Sequence, residues 1–194
     1  MTVGAVAPSG PALSEVVTAP VPRTGAPVVV ELGPGTGPFT GAIQKRLAGR
    51  GRHIAVELNP RFSDELAVRY PAVDVVTANA ADLGEVLAAR EIHHAEVVVS
   101  GLPWAAFAER QQQDVLSAVA GVLPPHGVFT TFAYVHARWA PPARRLLRSL
   151  RSQFDEVVIS RTVWANVPPA LVYVCRRPIP LSEAPALVEA QAVQ

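Results

Sequence analysis

Val28-Val29-Val30-Glu31-Leu32-Gly33-Pro34-Gly35-Thr36-Gly37-Pro38-Phe39-Thr40 reads as a buried strand, then a glycine turn, then the start of a helix. Gly33, Gly35 and Gly37 let the backbone bend sharply and bring bare peptide groups against a ligand. Thr36 and Thr40 are placed to cap or satisfy the first helical turn, whose orphan N–H groups face the crevice. A second acidic residue, Glu57, ends the next strand-like run, His53-Ile54-Ala55-Val56-Glu57. It stands about 20 residues beyond the last glycine, the spacing at which a carboxylate takes ribose hydroxyls in dinucleotide-type folds. The glycines are spaced G-x-G-x-G, without the third glycine of the dinucleotide fingerprint. A ligand-free glycine turn is the bland alternative, and Glu57 argues against it.

Composition describes a folded enzyme-sized chain. At 194 residues it is most simply one domain, long enough to bury roughly 70% of its unfolded surface. Hydrophobic residues make up 49% and charged residues 17%, so a large core is expected and disorder is not expected in the middle of the chain. The single cysteine, Cys175, leaves no intramolecular disulfide and no cysteine-based zinc cluster. It falls in an alternating strand pattern and reads as an inert core or edge thiol. No window approaches the roughly 18 consecutive apolar residues of a bilayer span. The N-terminus lacks a basic region before an apolar stretch, so no signal peptide is expected. The location expected is cytoplasmic, with attachment to the inner face of the membrane still open. The net charge of +1 provides no global field for nucleic acid, and no nucleic-acid partner is expected.

Strand and helix patterns alternate with short loops, which predicts an α/β domain with a mostly parallel sheet and helices on both faces. Strands are expected at 28–32, 53–57, 73–77, 95–100, 127–134, 154–161 and 170–176. Helices are expected at 38–49, 61–69, 83–90, 108–122 and 142–151. Between the last two strands stands the proline-rich turn Asn166-Val167-Pro168-Pro169. They are therefore expected to form an antiparallel hairpin at the sheet edge. Residues 1–26 read as a partly irregular N-terminal segment on the substrate side, with a short helix at 11–18. Residues 178–194 read as a flexible tail.

The glycine segment with Glu31 resembles motif I of class I S-adenosylmethionine (SAM)-dependent methyltransferases, and seven strands ending in a hairpin resemble their Rossmann-like core. The likeness narrows when further motifs are added. They are Gly4-Ala5-Val6-Ala7-Pro8-Ser9, Glu57-Leu58-Asn59-Pro60, Ser100-Gly101-Leu102-Pro103-Trp104 and the run Val163-Trp164-Ala165-Asn166-Val167-Pro168-Pro169-Ala170. Together they resemble the bacterial phospholipid N-methyltransferase family, which methylates phosphatidylethanolamine toward phosphatidylcholine. The likeness runs from about residue 4 to Arg177, which makes 27–177 the SAM-dependent methyltransferase domain. Two departures stand out. Ala78-Asn79-Ala80 replaces the family's usual Gly-Asp-Ala, with Asp82 as the nearby carboxylate. Only Met1-Thr2-Val3 precede Gly4, where relatives often carry a basic amphipathic segment, so weaker membrane attachment through that end is expected.

The resemblance implies SAM as donor and S-adenosylhomocysteine as product. In that reading the glycine loop (Gly33, Gly35, Thr36, Gly37) and Glu31 hold the methionine part. Glu57 takes the ribose hydroxyls, Leu58 packs on the adenine face, and Asn79 and Ala80 line the adenine edge. Ser100, Gly101, Leu102 and Pro103 leave the fourth strand at its C-terminal end, where their carbonyls would accept from the substrate amine; Ser100 also borders the cofactor. A sulfonium is an activated donor, so catalysis needs mainly in-line positioning and a neutral amine. The free amine has a pKa near ~10.4, so a proton must leave. Tyr134, His136 and Glu109 are the candidates to receive it. Trp104, Tyr134 and Trp164 are candidate faces for the quaternary ammonium product.

Three acceptor classes stay open: an aminophospholipid, a soluble amine or metabolite, and a nucleic-acid adenine. Adenine enzymes that look similar carry an asparagine where this chain has Gly101, which disfavours the third. There is no acidic residue between Asp114 and Asp155. In the helix at 142–151, Arg144, Arg145, Arg148 and Arg151 lie opposite Ala143, Leu146, Leu147 and Leu150. This face reads either as an ordinary solvated helix surface or as a contact with anionic lipid. His93-His94 has no carboxylate or cysteine at ligand spacing and is read as solvated, with no metal expected.

Overall fold

The structure, a computed structural model, describes residues 10–180. The expectations for residues 1–9 and for most of the tail lie outside the described residues. The elements run α1 (Pro11–Val17), β1 (Val28–Leu32), α2 (Pro38–Leu47), β2 (Arg52–Glu57), α3 (Pro60–Arg69), β3 (Asp74–Thr77) and α4 (Leu83–Ala88). They continue with β4 (Val97–Ser100), α5 (Glu109–Val122), β5 (Val128–Tyr134), α6 (Pro141–Gln153), β6 (Phe154–Ile159) and β7 (Ala170–Pro178).

The seven strands form one sheet in the order β3-β2-β1-β4-β5-β7-β6. All neighbours are parallel except β7, which runs antiparallel to both β5 and β6. The antiparallel hairpin expected from sequence is present at the sheet edge. The last strand, β7, is inserted between β5 and β6, and β6 is the edge. The physical reason is legible afterwards. Ala170, Leu171, Val172 and Tyr173 are buried, which suits an interior strand, while β6 carries Asp155 and Glu156, charges that suit an edge.

Helices cover both faces. Leu13 and Val17 of α1 and Phe39, Ile43 and Leu47 of α2 pack with Val29, Val97, Val99, Ala170 and Val172. On the other face, α4, α5 and α6 bury Leu87, Leu116 and Leu150 in the larger core with Val30, Val98 and Phe129. Leu66 of α3 closes a small third cluster on Ala55.

The chain reverses its direction of travel across the sheet between β1 and β4. In doubly wound sheets the crevice outside the C-terminal ends of the strands at that point is where ligands bind. The loops that leave β1 and β4 there are the glycine loop and the Ser100 loop.

Candidate functional site

Gly33, Gly35 and Gly37 all have positive φ, at 64°, 53° and 86°. At Gly35 a Cβ would meet nothing within 4 Å, so its face is open toward the crevice. The loop is braced from behind. Arg69 Nη1 donates to the Thr36 carbonyl (2.7 Å), and the Gly35 N–H donates to Glu57 Oε2 (3.0 Å). The other Glu57 oxygen accepts from the Asn59 N–H at 3.0 Å. Glu57 thus ties the glycine loop to the turn after β2, and each carboxylate oxygen keeps a lone pair for a further donor. Leu58, beside it, is exposed.

Glu31 is wholly buried. Its Oε2 accepts from Thr40 Oγ1 (2.7 Å) and lies 3.3 Å from His53 Nε2. Gln44 Nε2 and His53 Nδ1 are 3.0 Å apart, and with Gln44 donating, the imidazole hydrogen sits on Nε2, facing Glu31. Glu31 Oε1 has no partner among the described residues. Two expectations are corrected here. Thr40 does not cap α2, because its hydroxyl is turned to Glu31, and Thr36 is exposed and contributes its carbonyl to Arg69. The N-cap of α2 is Gly37, with no side-chain cap, so the first-turn N–H groups stay open at the crevice. Gln44 and His53 were not singled out by sequence reading, and Thr40 was singled out only for the first helical turn. A buried histidine and threonine meeting one glutamate is a consequence of β2 lying beside β1.

Asn79 is exposed and its Oδ1 accepts from the Ala81 N–H at 3.0 Å, with its Nδ2 hydrogens free. Sequence reading expected the carbonyl oxygen to serve the adenine amino group. The local turn uses one lone pair of that oxygen and leaves the other, beside the Nδ2 hydrogens, for a ligand. Ala80 is buried next to it, and Asp82 is exposed.

The loop after β4 packs directly on the glycine loop. Gly101 N–H donates to the Leu32 carbonyl (2.8 Å), and a Cβ on Gly101 would lie 2.7 Å from the Gly33 carbonyl oxygen. Backbone against backbone explains why position 101 carries no side chain. Ser100 is buried, and its Oγ accepts from Trp104 Nε1 (3.2 Å) and the Leu102 N–H (3.3 Å). Trp104 Nε1 also reaches Thr131 Oγ1 (2.8 Å), and Gln112 Nε2 donates to the Trp104 carbonyl (2.7 Å). The Trp104 ring packs edge-on against Phe107 and Phe129 and is 3% exposed. Trp104 is therefore a buried strut that holds the loop, and its faces are not available for an ammonium, contrary to the expectation. Thr131 and Gln112, missed from sequence, are the polar groups that make this burial tolerable. Leu102 and Pro103 carbonyls accept from Trp104 and Ala106 N–H groups. The Gly101 carbonyl accepts from none of the described residues.

Tyr134 ends β5, half-buried, edge-on to Phe132 and stacked on His136 at 5.8 Å. Burial pushes its hydroxyl above the ordinary tyrosine range, so near neutrality it holds its proton. His136 and Glu109 are exposed. Trp164 stands out into solvent from the loop between β6 and β7. That loop is pinned by Asn166, which is buried, accepts from the Gly10 N–H (2.8 Å) and donates to the Pro168 carbonyl (2.7 Å). Pro169 in turn accepts from the Val135 N–H (2.9 Å). The N-terminal helix thus enters the fold beside the rim that carries the site.

Of the α6 arginines, Arg144, Arg148 and Arg151 are exposed, while Arg145 Nη2 donates to the Phe107 carbonyl (3.1 Å) and its Nε is buried. Arg145 braces the Trp104 loop and is not a free surface cation. A hollow lined by Asp64, Glu65, Val68 and Arg69 lies along α3, and of the residues above only Arg69 reaches it.

The arrangement fits SAM on two observations of its own. An orphan buried carboxylate oxygen lies beneath the glycine loop, and the loop's open face at Gly35 would be filled by any Cβ. No protein-family model matches the chain. It is 37% identical over 180 residues to the ornithine lipid N-methyltransferase of Singulisphaera acidiphila, covering 90% of this chain and 88% of that protein. Its fold is similar to a TehB-like SAM-dependent methyltransferase from Corynebacterium glutamicum, with a TM-score of 0.60 and 15% identity over 86% of this chain and 87% of that one. A precorrin-6y C5,15-methyltransferase from Geobacter metallireducens gives a TM-score of 0.61 at 16% identity, covering 85% and 87%. A SAM-dependent O-methyltransferase from Thermotoga maritima gives 0.65 at 10% identity, covering 86% and 65%. At these identities the solved structures speak for the fold alone.

Proposed function

This chain belongs to the bacterial lipid N-methyltransferase family of class I SAM-dependent methyltransferases, and from that membership we propose that it methylates the primary amine of a membrane lipid, phosphatidylethanolamine being the acceptor expected. The observation that carries the reading is the 37% identity to an ornithine lipid N-methyltransferase along nearly its whole length. S-adenosylmethionine is the methyl donor. When bound it would supply an activated sulfonium methyl, which passes to the amine lone pair as the carbon–sulfur bond breaks and S-adenosylhomocysteine leaves.

The residues of this chain divide the remaining work. Glu57 and Asn79 are placed for the nucleoside, one with spare lone pairs and one with free N–H groups. The open N–H groups at the start of α2 suit a carboxylate. Glu31, held by Thr40, places its carboxylate beneath the loop. The Gly101 carbonyl is the unpaired acceptor beside the glycine loop, and an acceptor there holds the amine N–H and turns the lone pair toward the donor. Trp104, Ser100, Thr131, Gln112 and Arg145 act on the reaction only through the shape of that loop. Tyr134 keeps its proton, so the ammonium proton departs to solvent or through His136 at the exposed rim. We place the reaction at the cytoplasmic face of the membrane.

The test is transfer of labelled methyl from SAM to phosphatidylethanolamine vesicles, to vesicles carrying an ornithine lipid, and separately to a panel of soluble amines. Label in the organic phase that disappears in Glu57→Ala supports the lipid reading, and the two vesicle arms separate the headgroups. Label confined to water-soluble product overturns it in favour of a small-amine enzyme.

A further inference from the structure

Among the described residues, seven large hydrophobic side chains are exposed, and five of them lie in or next to two adjoining loops. Trp139 (72% exposed) lies between β5 and α6, and Trp164 (74%) and Val167 (81%) lie between β6 and β7. Val158 and Ile159 lead directly into the second loop. The two loops, residues 135–140 and 160–169, are neighbours, since Tyr134 pairs with Ala170 and the Val135 N–H donates to the Pro169 carbonyl. Both leave the C-terminal ends of parallel strands, the rim that also carries the Ser100 and glycine loops. Neither loop contains an acidic residue. Each contributes an exposed arginine, Arg138 and Arg161, and the Arg138 guanidinium lies 4.2 Å over the Trp139 ring.

Isolated exposed apolar residues need no explanation, but a cluster of tryptophan and aliphatic tips flanked by arginine does. Tryptophan favours the level of lipid headgroups, where its ring is half apolar and its N–H is wet. Arginine beside it matches lipid phosphate. The geometry points to these two rim loops as the surface that docks on an anionic bilayer, so that the mouth of the site opens onto the membrane plane. A lipid amine then reaches the Gly101 carbonyl without its acyl chains leaving the bilayer. The consequence for catalysis rests on the lipid reading above; the docking itself does not.

This orientation differs from one that lays α6 on the membrane. β5 and β6 are both antiparallel to β7 and so parallel to each other, and α6 returns between them, running away from the rim. Arg151 therefore sits ~10 Å further from the rim than Arg144. A membrane at the rim meets α6 end-on, and Arg148 and Arg151 recede from it.

Flotation with vesicles of phosphatidylethanolamine and phosphatidylglycerol separates the two. The rim variant Trp139→Ala/Val167→Ser is expected to lose vesicle partition by roughly tenfold or more while keeping SAM affinity. The α6 variant Arg144→Gln/Arg148→Gln/Arg151→Gln is expected to stay within about threefold of the parent. Brominated lipids should quench Trp139 and Trp164 and spare the buried Trp104. Loss of binding in the α6 variant with unquenched tryptophans overturns the proposal, as does absence of vesicle binding by the parent chain. Quenching and binding without methyl label in the organic phase sustain the docking surface and overturn the acceptor reading. Label transferred to micellar lipid by a protein whose tryptophans are not quenched does the reverse.

Discussion

Glu57 ties the glycine loop to the turn after β2 through one carboxylate. Its oxygens already hold the Gly35 and Asn59 N–H groups, and the same oxygens keep lone pairs toward the crevice. Glu57→Ala should therefore weaken SAM binding by about tenfold to hundredfold, the loss expected for charge-assisted hydrogen bonds. Titration calorimetry measures it, and an unchanged affinity would remove Glu57 from the nucleoside site. Cys175 is a residue of the opposite kind. It is buried in β7, and burial pushes its thiol up to about 12. A raised thiol pKa keeps the neutral form at all ordinary pH, so the reactive thiolate is scarce. Alkylation by a maleimide should be negligible in the native protein and rapid in denaturant. Fast modification of folded protein would contradict the packing around β7.

Asn166 shows how one side chain joins elements distant in sequence. It holds the start of α1 through Gly10 and the β6–β7 loop through Pro168. Asn166→Ala leaves a partly buried N–H and a carbonyl without partners, at a cost of about 1–3 kcal/mol. Because those bonds lie on the rim and not on the glycine loop, KM for the acceptor should rise while SAM affinity holds. Equal losses in both would show that the asparagine supports the whole fold instead. At this scale the sequence was largely readable. Every strand and helix expected from periodicity is present, with α6 burying Ala143, Leu146 and Leu150 along the anticipated face. Strand order was not readable: β7 is apolar along four consecutive buried positions, but only assembly showed that it lies inside β6.

For the molecule as a whole, ligand binding and folding are linked. A crevice built from loops of β1, β2, β3 and β4 exists only in the folded chain, so SAM stabilises the native state alone. At a hundredfold excess over its dissociation constant SAM adds about 2.7 kcal/mol. For a chain of this size that is worth about 5–10 °C in Tm. S-adenosylhomocysteine should act likewise, and a melting curve unmoved by both would refute the site.

The glycine loop, Glu57 and the Ser100 loop could be read from the sequence because each is a local pattern whose conformation is set within a few residues. The sequence by itself therefore determined the Rossmann-like class and the local conformation of the loops that meet at the crevice. Tertiary structure alone decided what the side chains around that crevice face. It turned Trp104 inward onto Thr131 and Ser100, bound Glu31 to Thr40 beside His53, and left Trp139 and Trp164 exposed on one rim. All three tryptophans follow or lie within loops and look alike in the sequence. Whether such a ring is a strut or an anchor depends on which strand lies beside its loop, and that is set by long-range packing, not by neighbours in the chain.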